Sequence, residues 1–267
     1  MTTDNDYHLA PGNVLQNMYL KKRLAGFTNS SMKFIELGPG NGYISNILLR
    51  LGLNGIGYDL SDSACNNNRS TNIEYIKSGT YSAVNADFFG ISEQEKVDII
   101  ISSHVLEHVP TDELDTYFEK CKSILNKNGK IITLVPSSMK HWGIEDETVG
   151  HYRRFEFGDF EGIAKKHNLN IDNIAGLTFP LSNILFKLSN HLLNKSESWK
   201  KNLSKEEQTV LSSSGVKNVK YKTYFPSYFR YLINDITMYP FHLLQLLNRH
   251  NASSMVIYCE FSATTTA

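Results

Sequence analysis

The sequence predicts an α/β fold built on a doubly wound, mostly parallel sheet. Two observations predict it. Short β-type runs alternate with helix-type segments five times between residues 33 and 135. One run, Val97-Asp98-Ile99-Ile100-Ile101-Ser102, is apolar almost throughout, as expected of a strand covered on both faces.

The elements follow in order. Residues 1–11 read as a loose tail and 12–27 as a helix with Val14, Leu15, Met18 and Leu24 near one face. Lys33–Leu37 is the first strand, broken by Gly38-Pro39-Gly40-Asn41-Gly42, and Tyr43–Arg50 has helical spacing. Gly55–Asp59 is the second strand, with Ser61 placed to cap the next helix. Tyr81–Ala86 and Val97–Ser102 are the third and fourth strands, Thr111–Asn126 an amphipathic helix, and Gly129–Val135 the fifth strand. Phe157–His167 is helical, Asn170–Leu177 a sixth strand and Ser254–Phe261 the last, with a frayed tail from Ser262 to Ala267. The organisation expected is an N-terminal tail and covering helix (1–31), a core (32–179), a mainly helical insertion that caps the pocket (180–250), and the last strand (251–267). In the insertion, the Leu181–Leu193 face is expected to pack on the sheet, with weak membrane-surface contact as the alternative. Its aromatics are expected in the core, and its Lys-rich run, 195–222, in solvent.

Composition limits the partners. Hydrophobic residues make up 41% and charged residues 20%, which suits a packed core. The formal net charge is +0, so no long-range field draws in nucleic acid. Cys65, Cys121 and Cys259 are far apart and odd in number, so reduced thiols are expected, and with no CxxC or paired-His spacing no metal site is expected. There is no basic start followed by an apolar run and no apolar stretch long enough for a span, so a cytoplasmic protein without a transmembrane segment is expected.

Ligands of such sheets sit outside the carboxyl ends of the strands. A strand that turns into a helix through three glycines bares main chain to a ligand and presents free N–H groups. The spacing is not G-x-G-x-x-G: the third glycine comes one residue early and Tyr43 stands where a small residue is needed, which disfavours a dinucleotide.

Glu36-Leu37-Gly38-Pro39-Gly40-Asn41-Gly42 resembles the first motif of class I S-adenosylmethionine (SAM)-dependent methyltransferases, E/D-x-G-x-G-x-G. The resemblance covers residues 32–136, extends more weakly through 177, and returns at the last strand. It implies a seven-stranded sheet and SAM as cofactor. Gly38, Gly40 and Gly42 would then lie against the methionine and ribose parts, and Glu36 would steer the amino-acid end. Asp59, ending the second strand, is placed to accept both ribose hydroxyls. By the resemblance Asp87 accepts from the adenine amine and Phe88 walls its ring. Ser103 and His104 lie in the segment under the sulfonium, and His108 faces cofactor or substrate.

Methyl transfer to a hydroxyl gains from a base near neutral pKa. The stretch after the fifth strand holds the candidates: His151 first, His141 second, and His108 from the neighbouring segment. Gly150-His151-Tyr152-Arg153-Arg154-Phe155 resembles a segment of many bacterial members of the family, with Tyr152 and Arg153 as acceptor contacts. The competing reading is an internal lock, Arg153 or Arg154 on Glu145, Asp146 or Glu147. The leading expectation is O-methylation of a saccharide or similar small polar molecule, including a lipid-linked one. N- or C-methylation of another small molecule, a non-catalytic SAM-binding subunit, and a dehydrogenase are the alternatives.

Overall fold

The computed structural model describes residues 7–27, 31–92, 96–213, 219–222 and 225–264. Seven strands form one sheet: β1 (Lys33–Leu37), β2 (Asn54–Asp59), β3 (Tyr81–Asn85), β4 (Val97–Ser103), β5 (Leu125–Pro136), β6 (Leu169–Leu177) and β7 (Val256–Ala263). Their order is β3-β2-β1-β4-β5-β7-β6. β1 to β5 run parallel to one another, and β7 runs antiparallel between β5 and β6.

Alternation along the strands makes two cores. Ile35, Ile100 and Ile131 point to one face, where Phe118 of helix α5 (Leu114–Ile124) and Phe160 of α7 (Phe157–His167) cover them. Phe34, Ile99, Ile101 and Ile132 point to the other, against Leu20 of α1 (Pro11–Leu24) and Leu48 of α2 (Tyr43–Arg50). Arg23 donates to both oxygens of buried Glu260 at 2.7 Å, tying α1 to β7. Ser61 caps α3 (Asp62–Thr71) as expected, accepting from the Ala64 N–H, and a short α4 (Ile73–Lys77) follows.

Several boundaries differ from expectation. β5 starts at Leu125, four residues early, because Leu125 already pairs with Val97 before an irregular stretch restores register at Lys130. Ser262 and Ala263 belong to β7, paired with Lys130 and Leu169, so that part of the tail is not frayed; 265–267 lie outside the described residues. Tyr7–His8 pairs with Phe225–Pro226, which removes those residues from the expected loose tail, whose first six residues lie outside the described ones.

Residues 180–250 leave β6 and return to β7. They carry α8 (Leu181–Glu197), α9 (Lys205–Ser213) and α10 (Tyr239–Leu247), numbered after the short α6 (Ile144–Val149). Their two ends meet, since Leu177 pairs with Val256. The Lys-rich run is not simply solvated. Lys222 bonds both oxygens of Glu145 at 2.9 Å, Lys201 pairs with Glu147 at 2.5 Å, and Lys205 donates to the His151 carbonyl at 2.6 Å. The acidic first turn of α6 supplies the counter-charges.

Candidate active site

The turn after β1 uses its glycines in three ways. All three have positive φ: Gly38 +61°, Gly40 +53° and Gly42 +75°. A Cβ on Gly38 would press on Val105 Cγ2 at 2.7 Å. One on Gly42 would collide with the side chains of Asn68 and Asn72. One on Gly40 would meet nothing within 4 Å, because Gly40 borders a cavity of 1230 Å³ at the carboxyl end of the sheet. Gly38 and Gly40 therefore face the cavity, whereas Gly42 caps α2 and packs on α3.

Asp59 lies on the cavity wall and is 7% exposed. Its carboxylate accepts from the Gly40 N–H at 3.2 Å and the Ser61 N–H at 2.9 Å. Burial pushes its pKa up, against those two bonds. Asp87 and Phe88 line the same wall, Asp87 accepting from the Phe89 N–H at 3.0 Å and Phe88 tilting on Tyr117. His104 is also on the wall, in the left-handed region at φ +57°, with Nε2 3.1 Å from Gln16 Oε1. Ser103 ends β4 without lining the cavity.

Glu36 turns the other way. Its side chain shares the Phe34 face of β1 and is fully buried, accepting from Ser45, whose hydroxyl also bonds Tyr81. It does not border the cavity, which corrects the steering role expected for it. Burial pushes its pKa from 4.5 up to about 7, the Asp59 charge adding to this and the Ser45 bonds opposing it. A raised folded-state pKa means stability that is complete below pH 4.5 and lost as pH rises through 7. Glu36→Gln keeps the acceptor and removes the charge. In denaturant unfolding it should gain about 3 kcal/mol relative to the unaltered protein between pH 5 and pH 8. Equal gains at both pH values would refute this assignment.

The opposite wall holds a compact polar cluster. Buried His151 places Nδ1 2.7 Å from Asp146 Oδ1 and Nε2 3.8 Å from Glu107 Oε1. Arg154 Nε donates to the same Asp146 oxygen at 2.8 Å, and the Gly143 N–H donates to the other at 2.8 Å. Desolvation raises the Asp146 pKa, but the bonds from His151 and Arg154 outweigh it and hold the carboxyl below its usual range. His108 stands edge-on to His151 with ring centres 4.8 Å apart, its Nδ1 3.2 Å from Thr209 Oγ1. Burial pushes the His108 imidazole down to about 4, so it is neutral at pH 7. His108, His151 and Arg154 all line the cavity.

Three expected acceptor-side residues lie elsewhere. His141 is on a 3-10 turn beside Asn183 and Phe186, off the cavity wall. Arg153 bonds the Val109 carbonyl at 2.9 Å and Thr111 at 2.8 Å, and Tyr152 is covered by Lys205 at 4.1 Å. Neither borders the cavity. The internal lock exists, through Arg154 and Asp146.

Glu107 went unassigned in the sequence reading. Fully buried, it makes ion-pair contacts with His104 Nδ1 at 3.3 Å and His151 Nε2 at 3.8 Å, but no aligned hydrogen bond. Possible ligand atoms of Glu107, His108 and His151 lie within 4.8 Å of one another, a grouping able to hold a cation or to handle a proton. No metal-ligand spacing marks it, because the fold joins two separate loops.

The chain matches the methyltransferase domain family over residues 15–174. It belongs to that family. Two ubiquinone biosynthesis O-methyltransferases are similar to this methyltransferase. The one from Cupriavidus pinatubonensis is 29% identical over 37% of the chain and 39% of its own length. The one from Pelagibacter ubique is 23% identical over 60% of the chain and 70% of its own length. A putative sarcosine dimethylglycine methyltransferase from Galdieria sulphuraria shares the fold, with a TM-score of 0.58 and 15% identity over 92% of this chain and 84% of that one. The cofactor of this SAM-dependent methyltransferase family fits the cavity: open space above Gly40 lies beside the Asp59 carboxylate, the surroundings a nucleoside needs.

Proposed function

We propose that this methyltransferase methylates a hydroxyl on a small polar ring, a saccharide or similar group, carried on an apolar substituent. The observation that carries the reading is the Asp146–His151 pair set in a cavity that also has a broad apolar stretch of wall, with polar residues such as Gln16, Ser182 and Asn190 beside it. Leu181, Leu185 and Phe186 of α8, with Phe225, Phe229 and Phe241, form that wall. A bare sugar would leave it unfilled.

SAM supplies a methyl group already activated by the sulfonium charge. The residues assigned to hold it are the main chain at Gly38 and Gly40, Asp59 at the ribose hydroxyls, Asp87 at the adenine amine, and Phe88 and His104 along its sides. On the acceptor side, Asp146 accepts a hydrogen bond from Nδ1–H of His151, which makes Nε2 the basic nitrogen. Nε2 takes the proton from the acceptor hydroxyl. Buried Glu107 sits where it stabilises the imidazolium that results. Neutral His108 orients the hydroxyl without competing for its proton. Oxygen as the acceptor atom is further supported by the two O-methyltransferase relatives. A divalent cation on Glu107, His108 and His151 is the rival use of the cluster.

The test uses methyl-labelled SAM with hydroxylated sugars and phenols, each with and without an alkyl chain, in buffer and in chelator. Label should appear on oxygen, fastest in the chain-bearing acceptors, and equally in chelator. Label only on nitrogen or carbon, or SAM bound without transfer to any acceptor, would overturn the reading. Loss of transfer in chelator alone would favour the cation.

A further inference from the structure

We propose that the outward face of residues 228–247 docks on an anionic phospholipid surface. The proposal stands apart from the identity of the acceptor.

Helix α10 buries polar side chains most deeply, with Phe241 and Leu246 only partly buried on its inner side. Its buried side chains are His242 and Gln245, which bond each other at 2.8 Å. Gln245 also donates to the Leu15 carbonyl at 3.0 Å and accepts from the Thr178 N–H at 2.9 Å. Those bonds fix the rotation of the helix. They leave Tyr239, Leu243 and Leu247, four residues apart and so on one stripe, facing outward. A helix face turned to water is ordinarily polar, but α10 carries no Asp, Glu, Lys or Arg. The preceding loop extends the apolar surface: Ile236 is 85% exposed, Tyr231 75% and Leu232 66%, while Leu247 reaches 82%. A concentration of this kind on one short stretch marks an interaction surface.

Charge selects the occupant. Between Glu207 and Glu260 the sequence has one acidic residue, Asp235, and Lys21 neutralises it at 3.2 Å. Arg230 and Arg249 flank the apolar surface, and neither forms a salt bridge among the described residues. A second copy placed symmetrically on this face would bring like charges together. An anionic lipid surface meets both features, taking the leucines below its headgroups, the arginines at its phosphates, and Tyr228, Tyr231 and Tyr239 at the boundary where tyrosine is favoured. No helix among the described residues is long and apolar enough to cross a membrane, so contact is at the surface. The inner side of the same segment, through Phe229, Ile233, Met238 and Phe241, lines the cavity. The docking face and the acceptor cavity therefore share one wall.

The test is co-sedimentation of the full chain with vesicles of phosphatidylcholine alone or mixed equally with phosphatidylglycerol. Binding to the mixed vesicles should be at least about tenfold tighter at low salt and weaken as salt is added. The double variant L243E/L247E should lose binding while keeping its circular dichroism and SAM affinity, and R230Q/R249Q should lose the preference for anionic lipid. Absence of vesicle binding, or binding unchanged in L243E/L247E, would overturn the proposal. So would a concentration-dependent dimer in sedimentation that L243E/L247E abolishes, since the face would then belong to a second copy.

Discussion

Gly40→Val is expected to raise the SAM dissociation constant by at least about a hundredfold, roughly 3 kcal/mol. A Cβ at this position meets no protein atom, so the cost falls on whatever fills the space beside it. The variant also strains the backbone, because φ +53° suits glycine and costs a β-branched residue about 1–2 kcal/mol. Gly79→Val separates the two effects. Gly79 has φ +75° and equally open surroundings but does not border the cavity. Both variants should lose a similar amount of thermal stability, and only Gly40→Val should lose SAM binding in calorimetry. A folded Gly40→Val protein with unchanged affinity would place the cofactor elsewhere.

His151→Ala should lower kcat by about 10²–10⁴-fold, the span usual for loss of a positioned base, with SAM affinity unchanged. His151 is the better target than its partner. Asp146 also receives Arg154 and the Gly143 N–H, so Asp146→Ala would strand a buried guanidinium at a cost of about 3–5 kcal/mol and confuse folding with chemistry. Comparable loss of SAM affinity and kcat in His151→Ala would mean that the imidazole supports the cofactor and takes no proton.

The sheet was readable because β1, β2 and β3 are short runs that end at or next to Gly38, Asp59 and Asp87, and because Ile99, Ile100 and Ile101 leave no face polar enough for solvent. The positions of Gly40 and Asp59 on the cavity also followed from their place at strand ends. Glu36 shows where motif matching overreached. Side chains alternate along a strand, so Glu36 shares a face with Phe34 rather than with Leu37, which borders the cavity. The meeting of His108 with His151 was not readable, since it depends on how the loops after β4 and β5 fold over each other. His141 and Arg153 carry the right chemistry on the right loop, yet a polar loop has no periodicity to say which side chain turns inward. For the Lys-rich run the missing information was the acidic turn of α6, 50 or more residues away in the chain, on which it folds.

The pairing of Leu177 with Val256 makes residues 180–250 a closed excursion that departs and re-enters at adjacent points on neighbouring strands. The family match ends at residue 174, just before that departure. Such an arrangement lets evolution exchange the part of the cavity wall that this segment supplies as a cassette while the sheet keeps its register. Under the proposed function, a change of acceptor then needs a new excursion and no change in the strand ends that carry Gly40 and Asp59.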